Sequence, residues 1–291
     1  AMRVATHTSP RIISCSEIID GHLALPRGCE EALVEILDKL RVGYTIVDKT
    51  NVGNPIKVSF NGELRFDQQM AVVALINNRI GTLSAATAFG KSVVAANIIA
   101  ERKTNTLILV HTKALMEQWQ SLLNKFLTIE CDAPIEKPRR GRKRIWSPIG
   151  CVGSGKDRRS GLIDIAIMQS LVDGDSVKEW VRDYGMVIVD ECHHLSAFSF
   201  ERIMRFANAR YVYGLTATPI RKDGHQPIIF MQCGAIRHSV IANSTTAYER
   251  ILTPRFITSK RRTEDNEPYT ATIRRLAEDR VRNELIVRDA V

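Results

Sequence analysis

Met186-Val187-Ile188-Val189-Asp190-Glu191-Cys192-His193 is the stretch that decides the fold. Four apolar residues, three of them β-branched, read as a short strand buried on both faces. Two adjacent carboxylates follow at once. Such a pair is expensive at the end of a buried strand unless it has a task. The alternative is a strand end that merely dips into solvent.

About a hundred residues upstream lies Ala85-Ala86-Thr87-Ala88-Phe89-Gly90-Lys91-Ser92. A Gly-Lys-Ser loop that opens a helix presents backbone N–H groups and a positive helix end to phosphates. Lys91 is expected to pair with the β and γ phosphates, and Ser92 to ligate Mg²⁺ through its hydroxyl. The strict G-x-x-x-x-G-K-[ST] pattern is not met, because Ala85 stands where its first glycine would be. Asp190 is expected to hold Mg²⁺ through water, and Glu191 to orient or deprotonate an attacking water. Adjacent histidines point in different directions, so His193 reads as a hydrogen-bonding relay toward Thr216 and Thr218 rather than a zinc ligand. The two halves together carry the expectation of ATP and Mg²⁺.

From Leu64 onward the chain alternates strand and helix. Helices are expected at about 66–78, from the Gly-Lys-Ser loop through Ile99, and after Val110 through Phe126. Strands are expected at about 80–86, Thr106–Val110, Ile163–Met168, Met186–Val189 and Tyr211–Leu215. Alternation of this kind implies an α/β fold with a parallel sheet covered by helices on both faces. Ligands of such sheets sit outside the carboxyl ends of the strands. The loop, the acid pair and Thr216-Ala217-Thr218 all fall at those ends.

Residues 1–63 read as a small α/β module, with a helix from Gly28 to Leu40 and strands at Tyr44–Val47 and Ile56–Phe60. Residues 64–242 make the main domain, interrupted by an insertion at 132–148. That insertion holds six basic residues in the eight from Lys137 to Arg144. Residues 243–291 read as a linker and a final helix from about 268. Without a surface to cover its apolar face, that helix should fold back, pair or fray.

The chain of 291 residues carries a net charge of +9, which favours a polyanionic partner. No apolar run is long enough to span a bilayer, and no signal peptide is visible, so a cytoplasmic protein with no membrane partner is expected. The six cysteines form no C-x-x-C pair, which favours reduced thiols over zinc or disulfides. The Ala1-Met2 start reads as an expression scar, so a longer parent protein is expected.

These motifs, in this order, resemble the superfamily 2 helicases of the DEAD/DEAH type, and within them the XPB-like branch. The resemblance implies a RecA-like domain. Leu64-Arg65-Phe66-Asp67-Gln68 is similar to the adenine-reading segment, which makes Arg65 and Gln68 nucleotide contacts. Thr87, Ala88, Phe89, Gly90, Lys91 and Ser92 fall in motif I, where Ala88 replaces a customary glycine. Thr112 and Lys113 match motif Ia, and Gln169 and Ser170 the next contact with a nucleic-acid strand. Asp190 to His193 match motif II. Thr216 and Thr218 match motif III, which couples hydrolysis to domain movement. Arg221 to Gly224 match the segment after it.

The resemblance also implies a second RecA-like domain that carries motifs IV to VI and the arginine fingers. No strand-helix series for it follows Thr218. An arginine finger is worth about 10³–10⁵ in rate, so this stretch alone is expected to bind ATP weakly and turn it over very slowly. The expected activity is an ATP-dependent helicase or translocase acting on DNA. The alternatives are the ATPase subunit of a restriction or phage-defence complex with a nuclease partner, and a non-catalytic nucleic-acid-binding module. The N-terminal module is either a DNA-recognition element or a scaffold packed on the motor.

Overall fold

The computed structural model describes residues 16–131, 146–174, 176–191, 197–217, 226–240 and 269–290. The expectations for the basic run at 137–144, for His193, Thr218 and for Arg221 to Gly224 lie outside those residues. Two compact units divide the chain, one up to residue 242 and one from residue 243.

The first unit opens with a hairpin of β1 (Glu17–Ile19) and β2 (His22–Ala24), a 3₁₀ turn at Arg27–Cys29, and α1 (Glu30–Lys39). β3 (Lys57–Phe60) and α2 (Phe66–Ile76) follow. Then come β4 (Ile80–Ala85), α3 (Lys91–Arg102), β5 (Thr106–Val110), α4 (Lys113–Phe126) and β6 (Leu127–Glu130). β7 (Ile149–Gly153), β8 (Lys156–Arg158), β9 (Ile163–Ile167) and a small hairpin of β10 (Val172–Asp173) and β11 (Ser176–Val177) lead to β12 (Met186–Val189). α5 (Ala197–Phe206), β13 (Tyr211–Thr216), α6 (Gln226–Cys233) and β14 (Ile236–Val240) complete it.

Eight strands form one sheet in the order β14-β4-β13-β12-β5-β9-β7-β8. All neighbours are parallel except β7 and β8. Alternate residues of the central strands feed two separate cores. Ile108, Val110 and Ile188 pack with Leu75 of α2, Ile98 and Ile99 of α3, and Trp119 and Leu123 of α4. Leu107, Leu109, Val187 and Val189 pack on the other face with Phe200, Ile203 and Met204 of α5 and Ile229 of α6. Two-sided burial explains why these strands are continuous apolar runs rather than alternating ones. The expected α/β sheet with helices on both faces is present.

Tyr44–Val47 does not form the expected strand. Tyr44, Ile46 and Val47 are exposed, and the register offers them no neighbouring edge. A strand without a partner leaves its backbone groups to water and has nothing to hold it extended. β3 forms, but its partner is β6, with Lys57 opposite Glu130 and Phe60 opposite Leu127. The ring of Phe60 stacks on that of Phe126, 5.8 Å between centroids.

The N-terminal segment is tied to the main sheet layer by polar contacts. The Arg27 guanidinium donates to the carbonyls of Met204, Ala207 and Ala209. These are carbonyls at and beyond the end of α5, which α5 itself cannot satisfy. A cation there also complements the negative end of the helix. Arg205 pairs with Glu17, and Arg237 with Glu31.

In the second unit the expected single helix is two, α7 (Tyr269–Glu278) and α8 (Arg280–Ala290). The break lies at Asp279, whose carboxylate accepts from the Arg282 N–H at 3.1 Å. Aspartate as an N-cap starts a new helix in this way. No helix among the described residues is long and apolar enough to cross a membrane.

Arg27→Ala should lower the unfolding free energy by about 3 kcal/mol, since hydrogen bonds from a charged donor contribute about 1.5–3 kcal/mol each and are not additive. Arg27→Lys should recover only part, because an ammonium lacks the planar fork. Urea unfolding of the three proteins is the measurement. Equal midpoints would mean that the segment is not anchored through Arg27.

Candidate active site

The register brings the candidate residues to one end of the sheet. Thr216 of β13 lies opposite Ser84 of β4, Gly214 opposite Val189, Val189 opposite Leu109, and Val110 opposite Ile167. The residues that follow Ala85, Val110, Ile167 and Val189 therefore emerge side by side. The loop rises from β4 and Asp190-Glu191 from β12. Thr112 and Lys113 come from β5, and Gln169 and Ser170 from β9.

The loop needs left-handed backbone at two places. Gly90, the N-cap of α3, has φ 88°, and a Cβ there would stand 2.6 Å from the Gln68 amide nitrogen. That left-handed φ favours glycine. Ala88 also has a positive φ, 70°, at a cost of about 1–2 kcal/mol for a residue with a Cβ. Thr87 and Ala88 are exposed, Phe89 is buried and Ser92 half-buried.

Two side chains from the start of α2 hold the loop from below. Gln68, 4% exposed, donates to the Phe89 carbonyl at 2.9 Å and accepts from the Arg65 backbone N–H at 3.0 Å. The Arg65 guanidinium donates to the same Phe89 carbonyl at 2.7 Å and lies 5.7 Å above its ring. Both residues meet at the loop. A base contact by Gln68 would have to share an amide already engaged at both ends.

Lys91 is 8% exposed. Its ammonium donates to the Ala85 carbonyl at 3.1 Å and stands 3.7 Å from a Glu191 carboxylate oxygen. The loop lysine and the acid pair, a hundred residues apart, thus meet in space. Asp190 is 5% exposed. Its backbone N–H donates to the Leu109 carbonyl at 3.0 Å, which continues the ladder to β5. Glu191 turns out of the strand with φ 48°, and its N–H donates to Asp190 Oδ1 at 3.1 Å. Asp190 Oδ2 accepts from the Trp119 indole N–H at 2.7 Å.

Burial pushes the Asp190 carboxyl above the usual carboxylate range, and the Glu191 charge adds to that. The Trp119 and Glu191 N–H groups and the Lys91 charge act in the opposite direction.

Thr112 and Lys113 are exposed, as is Gln169, with Ser170 half-buried. The Thr112 hydroxyl caps α4 by accepting from the Leu115 N–H at 3.2 Å. Thr216 is fully buried at the end of β13.

The donor set suits a hard cation on a phosphate. A hydroxyl on Ser92 and a carboxylate on Asp190 are oxygen ligands, and Mg²⁺ commonly takes only one or two carboxylates with substrate phosphates. Among the described residues no group of three or more His, Cys, Asp or Glu gathers as a metal cage. Sequence reasoning overlooked Trp119. Met116, Trp119 and Leu123 at positions i, i+3 and i+7 read as plain core. The one available signal was chemical, since a buried indole N–H requires an acceptor.

Ala88→Gly should raise stability by about 1 kcal/mol by removing the left-handed penalty. An unchanged or lower urea midpoint would refute the loop geometry. Asp190→Asn keeps an acceptor for the indole and removes the buried charge. Because folding raises this carboxyl's pKa, folding favours its protonated form. The ionised form thus weighs against folding above the ordinary carboxylate range. With chelator present, the variant should therefore melt higher than the wild type near pH 8. The gap should narrow as pH falls toward that range. A gap of zero at every pH would contradict the burial of Asp190.

Comparison with known proteins adds a family, two relatives and a solved structure. The family described as type III restriction enzyme, res subunit, matches residues 61–221, more than half of the chain. The DNA 3'-5' translocase XPB2 of Sulfurisphaera tokodaii is 29% identical over 174 residues, which is 60% of this chain and 35% of that protein. The XPB helicase/translocase subunit of general transcription and DNA repair factor IIH from Danio rerio is 28% identical over 147 residues, 50% of this chain and 18% of that one. The chain therefore spans about a third or less of either protein's length. The UvsW helicase from bacteriophage T4 is similar in fold, with TM-score 0.54 and 20% identity over 76% of this chain and 81% of that structure. With the family's match running from before α2 to beyond β13, across the segments from Leu64 to Thr218, the chain belongs to the type III restriction enzyme res subunit family.

Proposed function

We propose that this chain is the nucleotide-binding part of an ATP-dependent nucleic-acid translocase or helicase, acting on DNA. The observation that carries the reading is the meeting of Lys91 with Glu191 at 3.7 Å, beside the buried Asp190, one strand from exposed Thr112 and Lys113 and two from Gln169 and Ser170. Phosphate-binding and strand-contacting groups then share one sheet edge. The translocase and helicase relatives of the XPB type favour the same reading.

In this proposal residues 64–242 are the first motor domain and residues 1–63 a module in front of it. Residues 243–291 lead toward a second RecA-like domain, which supplies the arginine fingers. The Gly90 loop N–H groups and Lys91 hold the nucleotide phosphates, while Gln68 and Arg65 keep the loop in shape and border the base. Ser92 and Asp190 would hold Mg²⁺, which would supply Lewis-acid charge to the nucleotide phosphates. Glu191 takes the proton of the attacking water. Its turn out of β12 points it away from the strand ladder. Thr112, Lys113, Gln169 and Ser170 contact the strand backbone. His193, Thr216 and Thr218 relay the state of the acid pair. The cytoplasm supplies the ATP that this reading requires.

The family's own description favours a second reading, an ATPase subunit that works with a nuclease partner. ATP turnover by the full parent protein, with single-stranded, duplex and forked DNA and with RNA, separates the two. Stimulation by one nucleic acid without any partner supports the autonomous motor and names its substrate. Turnover that appears only with a nuclease subunit supports the second. Glu191→Gln should lower stimulated turnover by about 10²–10⁴-fold, the range of a general base, with nucleic-acid binding retained. Unchanged turnover would remove Glu191 from the mechanism.

A further inference from the structure

Trp119 is the largest of the fully buried side chains, 1% exposed. Its size alone would serve the core between α4 and the sheet. Its indole N–H does something more specific. It donates to Asp190 Oδ2 at 2.7 Å, while Asp190 Oδ1 accepts the Glu191 N–H at 3.1 Å. Each carboxylate oxygen therefore has one donor from the protein. A carboxylate held at both oxygens cannot rotate freely, so its remaining lone pairs face a set direction. The indole offers no acceptor and carries no charge, so it fixes the carboxylate without neutralising it.

Trp119 also sits at a particular place on its helix. α4 begins at Lys113, is capped by Thr112, and reaches Trp119 six residues later. At a rise of about 1.5 Å per residue, that is about 9 Å along the axis. The exposed end of α4 carries candidate strand contacts, and its second turn carries a side-chain donor to Asp190.

We propose that Trp119 is a positioning residue for the metal. Through its indole N–H it sets the orientation in which Asp190 meets Mg²⁺, and α4 ties that orientation to the strand-contacting end of the same helix. The inference rests on the reading of the loop and acid pair as a Mg-nucleotide site. Partners of metal ligands commonly change metal affinity by about 10–100-fold.

The test uses the 291-residue chain and a fluorescent ATP analogue, with binding measured in EDTA and across a MgCl₂ titration. Trp119→Phe keeps an aromatic ring and loses the N–H. The expected result is wild-type affinity in EDTA and about a 10-fold rise in the Mg²⁺ concentration needed for tighter binding. Against Asp190→Ala, the Trp119→Phe substitution should add nothing, because the group it acts through is gone. A merely structural role predicts a loss in EDTA as well, and an additive loss with Asp190→Ala. Either result overturns the proposal.

A second measurement needs no change at Trp119. The chain has three tryptophans, and Trp146→Phe and Trp180→Phe assign their indole ¹⁵N–¹H signals. The Trp119 signal should move when MgCl₂ is added to the nucleotide-bound chain, and Asp190→Asn should abolish that movement. A Trp119 signal indifferent to Mg²⁺ overturns the proposal even if Trp119→Phe fails to fold. If the wild type binds the analogue with Mg²⁺ dependence and Trp119→Phe matches it, the role of Trp119 alone falls. If the wild type binds no analogue, the reading of the nucleotide site falls, and the role of Trp119 with it.

Discussion

The end of β12 is the constraint on which the rest depends. A strand buried on both faces delivers Asp190 to the protein interior at the sheet's carboxyl edge. Leaving an ionisable group there is costly, so its surroundings must supply donors. They come from three directions. The indole comes from α4, the next backbone N–H from the turn into Glu191, and the nearest positive charge from Lys91 at the start of α3. Each supplier is itself held by the two cores on either face of the sheet. Loss of sheet order would scatter all three.

The phosphate loop is held by a different means. Its two left-handed residues, Ala88 and Gly90, bend it tightly enough to leave the Phe89 carbonyl pointing back toward α2. Gln68 and Arg65 both bind that carbonyl, so the start of α2 clamps the loop to the body of the domain. In the proposed function the same residues border the nucleotide base. A nucleotide at that place would act on the loop through groups already in contact with it. Occupancy of the base site and shape of the phosphate site are then one property.

The main sheet was legible because its signals are local and redundant. β5 and β12 are short apolar runs, and α3 and α4 flank β5 with apolar residues at helical spacing. Short connections then leave little choice of topology. The edges were less legible. β6 pairs with β3 across more than sixty residues, and nothing near either strand announces the other. Tyr44–Val47 looks like a strand by composition, but β-propensity expresses fit to a neighbour, and none is offered there. The break at Asp279 was missed because the apolar spacing runs on through it, while the cap is a single side chain.

Residue identity alone determined the strand and loop chemistry. Gly90, Lys91, Ser92, Asp190 and Glu191 announce phosphate and metal work by type and spacing, and the alternation around them implies the parallel sheet that would carry them. Only the tertiary structure decided which of these groups touch. The 3.7 Å approach of Lys91 to Glu191, the double hold on the Phe89 carbonyl and the indole on Asp190 each join residues from separate elements. Periodicity says which face of a helix is buried, not which polar atom waits beneath it. Trp119 is the clearest case. Its burial follows from its place on α4, but its hydrogen bond follows from the register that sets β5 beside β12.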